Sequence, residues 1–171
     1  MKKEVRRTLL KWNPVNEKIM SARFNSRFAK LTIIQVYAPT NDEEDESKEE
    51  FYEQLQREVE ATPRHDVLIV MGDLNAKIGQ DNEGWEKVMG QHGLGIMNEN
   101  GERLATFCGN NDLVIGGSLF KHRDIRKITW KGSESNRPYH HQWKVQRFTD
   151  GHPSNERGRR QLGPPHGYGK D

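Results

Sequence analysis

Hydrophobic positions change their period several times along this chain, and each change marks an element. The stretch EKIMSARFN alternates loosely between apolar and polar residues, as a half-buried strand does. KLTIIQVYAP is a stronger, β-branched strand ended by Pro39. From Thr40 the period lengthens. Within TNDEEDESKEEFYEQLQREVEATP, Phe51, Leu55 and Val59 recur at i, i+4 and i+8, the single apolar stripe of an amphipathic helix. Thr40, Asn41 and Asp42 are candidate caps, acidic residues crowd the first turns where the helix dipole favours them, and Pro63 closes the run. The dense charge around the stripe reads as a solvated face. DVLIVM follows, too continuously apolar for a surface strand and expected to be buried on both sides. A glycine-rich loop from Lys77 to Gly101 leads to a short helix over NGERLATFCGNND, with Leu104, Phe107 and Cys108 on one side. LVIGGS and RKITW read as two more strands. Strand, helix, strand, helix, strand is an α/β pattern.

After Trp130 the pattern stops. From Lys131 the chain has few aliphatic residues, scattered Gly and Pro, and no sustained period, which is the composition of a disordered tail. Charge divides at the same place. The residues before Lys131 hold 19 basic and 21 acidic side chains, while those from Lys131 onward hold 8 and 4, so the net charge of +2 conceals a basic end. Residues 1–132 are therefore read as one domain and residues 133–171 as a basic tail rich in Gly, Pro and His. The whole is polar, with mean hydropathy −1.00. No stretch approaches the roughly 20 apolar residues of a membrane span. The single cysteine, Cys108, excludes an internal disulfide. A soluble, intracellular protein is expected, with nothing to set its oligomeric state.

The stretch HDVLIVMGDLNAKIG carries the candidate chemistry. Its buried strand runs straight into Gly72, Asp73, Leu74 and Asn75. Ligands and catalytic groups in α/β sheets sit at the carboxyl ends of strands. The i, i+2 spacing of Asp73 and Asn75 would put both on one side if strand geometry continued. A carboxylate there can accept a proton from water, and an amide can hydrogen-bond a phosphate oxygen or hold that carboxylate in place. Gly72 would let a substrate come close. An Asx turn closing the strand accounts for the same residues without any chemistry.

MGDLNAKIG, with IQVYAPTN upstream and NGERLATFC, LVI and ITW downstream, resembles the endonuclease/exonuclease/phosphatase superfamily over roughly residues 9 to 132. The resemblance points to the branch of craniofacial development protein 2-like chains and retrotransposon-derived endonuclease domains. It implies a DNase I-like four-layer sandwich, two β-sheets flanked by helices, of which this chain would hold part. It also implies Mg²⁺-dependent phosphodiester hydrolysis with DNA as the partner. By the same resemblance Asp73 activates or positions the attacking water, and Asn75 and Tyr37 contact the scissile phosphate. Thr129 and Trp130 support the site from a neighbouring strand. An ordinary half-buried strand aromatic is the other reading of Tyr37.

The family pattern needs more than these residues. An Asn and a metal-binding Glu are expected on two strands further ahead of VYAPT than this chain reaches, and Glu17 lies too close to serve. The Asn-Gln-Ile-Asp-His-Ile strand and the Ser-Asp-His-His segment expected after ITW do not occur as written. Synonymous codons exist for which Glu134–Trp143, read one base later, spells NQIDHTITN. LGPPHGYGK can likewise become WDHHMVMG. A frameshift near Ser133 is therefore expected, and an impaired enzyme with it. Sequencing the locus across the codons for Thr129 to His141 should show one base gained or lost; an intact frame with no such shifted homology would refute it.

Overall fold

In the computed structural model, residues 7–121 and 142–147 are described. A six-stranded sheet forms with the order β1-β2-β3-β4-β6-β5. Strands β1 (Leu9–Pro14), β2 (Ile19–Asn25) and β3 (Lys30–Tyr37) make an antiparallel meander. Helix α1 (Asp45–Ala61) then crosses over to β4 (Val67–Asp73), which lies parallel to β3. A long loop, helix α2 (Glu99–Asn110) and the short β5 (Val114–Ile115) follow. Strand β6 (Gln142–Arg147) is inserted antiparallel between β4 and β5.

The pleat decides which side of the sheet is core. Thr32, Ile34 and Val36 of β3 share a face with Leu68 and Val70 of β4, and all five are buried. The α1 stripe of Phe51, Leu55 and Val59 packs into that core, as do Leu104, Ala105 and Cys108 of α2. The two helices also meet through aromatic rings. Tyr52 lies edge-on to Phe51 at 5.3 Å and tilted against Phe107 at 5.5 Å. Burial pushes the Cys108 thiol well above its usual range, so the one cysteine is a core filler, not a nucleophile.

On the opposite face Ile33, Ile69 and Met71 are only partly buried, so β4 is not covered on both sides as its sequence suggested. The expected α/β architecture is present as one mixed sheet with two helices. A second sheet, and hence four layers, is not present among the described residues. No helix there is long and apolar enough to cross a membrane.

The helices depart from expectation at their starts. Helix α1 begins at Asp45, and its Glu44 cap position makes no side-chain capping bond. The expected caps are used elsewhere. Thr40 and Glu43 close a turn on each other, and Asn41 Oδ1 accepts from the Asn100 N–H at 3.3 Å. The solvated-face reading of α1 holds with one exception. Lys48 continues the apolar stripe and is 3% exposed, its Nζ donating to the Asn41 carbonyl at 2.9 Å. That bond keeps the buried ammonium satisfied.

The expectation of a disordered tail is corrected at Gln142–Arg147. Apolar Trp143 and Val145 alternate there with polar residues, the period of a strand, and the surrounding Gly and Pro concealed it. Val145 is buried opposite Val70. Arg147 donates twice to the Asn111 carbonyl, at 3.2 and 3.0 Å. The RKITW strand and the remaining tail calls lie outside the described residues.

At the end of the sheet where β4 begins, Asp66 is buried and held on three sides. Arg23 grips both its oxygens at 2.6 and 2.9 Å, and the Thr32 hydroxyl donates at 2.9 Å. The Arg23 hydrogen bonds hold its carboxyl below the ordinary carboxylate range despite the opposing push of burial. The folded chain therefore binds fewer protons than the unfolded chain as pH falls through that window, and folding stability must fall with it. Urea midpoints measured from pH 7 downward should stay level above the ordinary carboxylate range and decline through and below it. Asp66→Asn should remove that part of the decline; an unchanged acid slope in this variant would show that the ion pair does not set it.

Candidate functional site

Because β3 and β4 run parallel, their carboxyl ends emerge at the same edge, and the register places Tyr37 directly beside Asp73. The ladder extends one residue further, with the Ala38 N–H donating to the Asp73 carbonyl at 2.8 Å. Tyr37 is 57% exposed, so it is not the half-buried strand aromatic of the alternative reading. Asp73 is half-buried and ends the strand.

Strand geometry does not continue to Asn75. That residue adopts φ +47°, and its N–H donates to Asp73 Oδ1 at 3.1 Å, which is the Asx turn. A left-handed φ is several-fold commoner for Asn than for most residues with a Cβ. Asn75 Nδ2 reaches back to the Ala38 carbonyl at 2.7 Å. The turn, not the pleat, thus sets Asp73 and Asn75 together. Tyr37, Asp73 and Asn75 all meet at one strand end, and Asn75 ties the loop after β4 to the loop after β3.

Gly72 is required by the fold itself. Its φ is +139°, and a Cβ there would lie 1.9 Å from the Val36 carbonyl oxygen on the neighbouring strand. The missing side chain is what lets β3 and β4 come together immediately before Tyr37 and Asp73.

Two asparagines that sequence reasoning did not single out pin the site from below. Asn100, 3% exposed, donates through Nδ2 to the Pro39 carbonyl at 3.0 Å and to the Asn75 carbonyl at 3.1 Å. One side chain therefore bridges the loops that follow Tyr37 and Asp73. Asn98 caps α2, its Oδ1 accepting from the N–H groups of Gly101 at 2.9 Å and Lys77 at 2.8 Å. A Cβ at Gly101 would fall 1.9 Å from the Lys77 carbonyl, so glycine alone lets helix and loop meet. The signal for Asn98 was present, an Asn just ahead of a helical pattern with acids in its first turn. Nothing local announces Asn100, whose partners lie 61 and 25 residues away.

One carboxylate, one phenol and one amide form a set of oxygen and nitrogen groups able to hold water and a phosphate oxygen. As a Mg²⁺ site it is incomplete. Mg²⁺ takes near-octahedral oxygen coordination, usually anchored by carboxylates. Among the described residues no group of three or more His, Cys, Asp or Glu side chains is placed to hold a metal ion. Thr129 and Trp130 lie outside the described residues.

No family model matches the chain. It is 44% identical over 129 residues to craniofacial development protein 2 of Bos taurus, a match covering 75% of this chain and 21% of the relative. The protein of the same name from Tragulus javanicus is 43% identical over 129 residues, covering 22% of its length. The chain thus spans about a fifth of the length of these curated relatives. Among solved structures, the endonuclease domain of TRAS1, a telomere-specific non-LTR retrotransposon, is 20% identical with a TM-score of 0.48. That likeness covers 76% of this chain and 50% of the other. Over the aligned 129 residues the chain is a homologue of craniofacial development protein 2.

Proposed function

We propose that this chain carries part of a phosphodiester-hydrolysing site of the DNA endonuclease type, to which it contributes Asp73, Asn75 and Tyr37. The observation that supports the reading is the side-by-side placement of Tyr37 and Asp73 at the shared carboxyl end of two parallel strands. Asp73 accepts a proton from the attacking water or fixes its direction. The Tyr37 hydroxyl, on a largely exposed side chain, donates to a phosphate oxygen. Asn75 contributes its amide group to the phosphate contact, while its N–H fixes the Asp73 carboxylate.

The family expectation that Mg²⁺ supplies the Lewis acid finds no sufficient ligand set among the described residues, and groups of one catalytic unit do not act independently. We infer that turnover by this chain is impaired. A second reading, a nucleic-acid-binding protein without catalysis, draws on the same incomplete ligand set and on the basic excess from Lys131 onward. Binding by backbone electrostatics alone would be steeply salt-dependent.

Incubation of the 171-residue chain with supercoiled plasmid and Mg²⁺ separates these readings. Slow nicking that disappears in Asp73→Ala is expected. Vigorous nicking undiminished by Asp73→Ala would place the chemistry elsewhere, and plasmid binding with no nicking in either protein would favour the binding reading.

A further inference from the structure

The sheet has a second exposed end. The β2–β3 hairpin turns at Asn25–Lys30, the edge opposite Tyr37 and Asp73. Eight residues of β3 separate the two, about 25 Å at the usual rise of a strand. At the tip Phe28 is 91% exposed, and the Arg27 guanidinium lies 5.6 Å from its ring centroid. That is cation–π range. Beneath it the turn is tied, the Ser26 hydroxyl donating to the Ala29 carbonyl at 2.5 Å. The ring is thus presented on a closed turn.

A lone exposed aromatic needs no explanation. This one stands among cations. The register pairs Leu31, next to Lys30, with Val67, and the exposed Arg64 stands three residues ahead of Val67 in the α1–β4 loop. Arg7 stands two residues ahead of Leu9, the partner of Phe24, and is exposed as well. Asp66, at the start of β4, is buried and paired with Arg23. Glu60 and Asp112 belong to the helix side, at the end of α1 and after α2. Among the described residues the hairpin edge is therefore basic.

We propose that the β2–β3 hairpin tip is a contact for single-stranded nucleic acid, in which Phe28 stacks on an unpaired base while Arg27, Lys30 and Arg64 take the flanking phosphates. An aromatic face beside fixed positive charges is the pairing that tracks a single strand without reading its sequence. A duplex hides its base faces, so the ring has no stacking partner there. The contact goes beyond the Asp73 site and does not depend on hydrolysis.

The test is fluorescence anisotropy of a fluorescein-labelled twenty-nucleotide oligothymidylate titrated with the full 171-residue chain at 50 and 200 mM salt. Phe28→Ala should weaken binding about tenfold, and Phe28→Trp should retain it. Replacing Arg27, Lys30 and Arg64 together by Ala should flatten the dependence of log K on log salt by about 2. All four positions are at the surface, and matching thermal transitions would show that the variants fold. Thr106→Ala, exposed on helix α2 and outside both ends of the sheet, should bind as the parent does. Unchanged affinity in both the Phe28→Ala and the triple variant overturns the proposal. So does equal affinity for a duplex, or binding to phosphatidylserine vesicles with none to the oligonucleotide.

Discussion

Parallel pairing of β3 with β4 is the constraint on which the rest of this structure depends. Two strands that run the same way deliver their carboxyl ends to one edge, so whatever follows each strand meets there. In this chain those are Tyr37 with Ala38 and Asp73 with Asn75. The pairing is close only because residue 72 has no Cβ to strike the Val36 carbonyl. It is fixed in depth by a core face of Ile34, Val36, Leu68 and Val70 against the α1 stripe. Beyond the last ladder bond, register passes to side chains. Asn75 binds the Ala38 carbonyl, and Asn100 spans the Pro39 and Asn75 carbonyls. Each of those carbonyls would otherwise need water or another donor.

Charge is handled by local pairing along the same axis. Asp66, below the start of β4, is held by Arg23, and in the loop and helix start after β3 Glu43 meets Lys18 while Asp45 meets Lys48 and Arg103.

Local periodicity made much of the fold legible. The strands ending at Asn25 and Tyr37, the α1 stripe and the buried side of α2 follow from spacing alone, because each is encoded by neighbours within a few residues. Three features were not readable in that way. The start of α1 moved to Asp45 because Asn41 and Glu43 had loop partners that local capping rules do not see. Strand β6 was obscured by the composition around it, although Trp143 and Val145 carry the right alternation. The role of Asn100 depends on partners far away in sequence. At the site itself, the motif placed Asp73, Asn75 and Tyr37 together, but the expected pleat was replaced by a turn at Asn75.

Asn100 holds the two site loops in register, and native-state hydrogen exchange tests that most directly. In the parent chain the amides of Ala38 and Asn75, donors to the Asp73 backbone and carboxylate, should be protected from exchange. Asn100→Ala leaves the Pro39 and Asn75 carbonyls without that donor, a loss of about 1–3 kcal/mol. It should speed exchange at Ala38 and Asn75 while leaving Ile34 and Val70 slow. If those core amides accelerate equally, or if Ala38 and Asn75 do not change, the loops are not held by Asn100 and the site geometry has another origin.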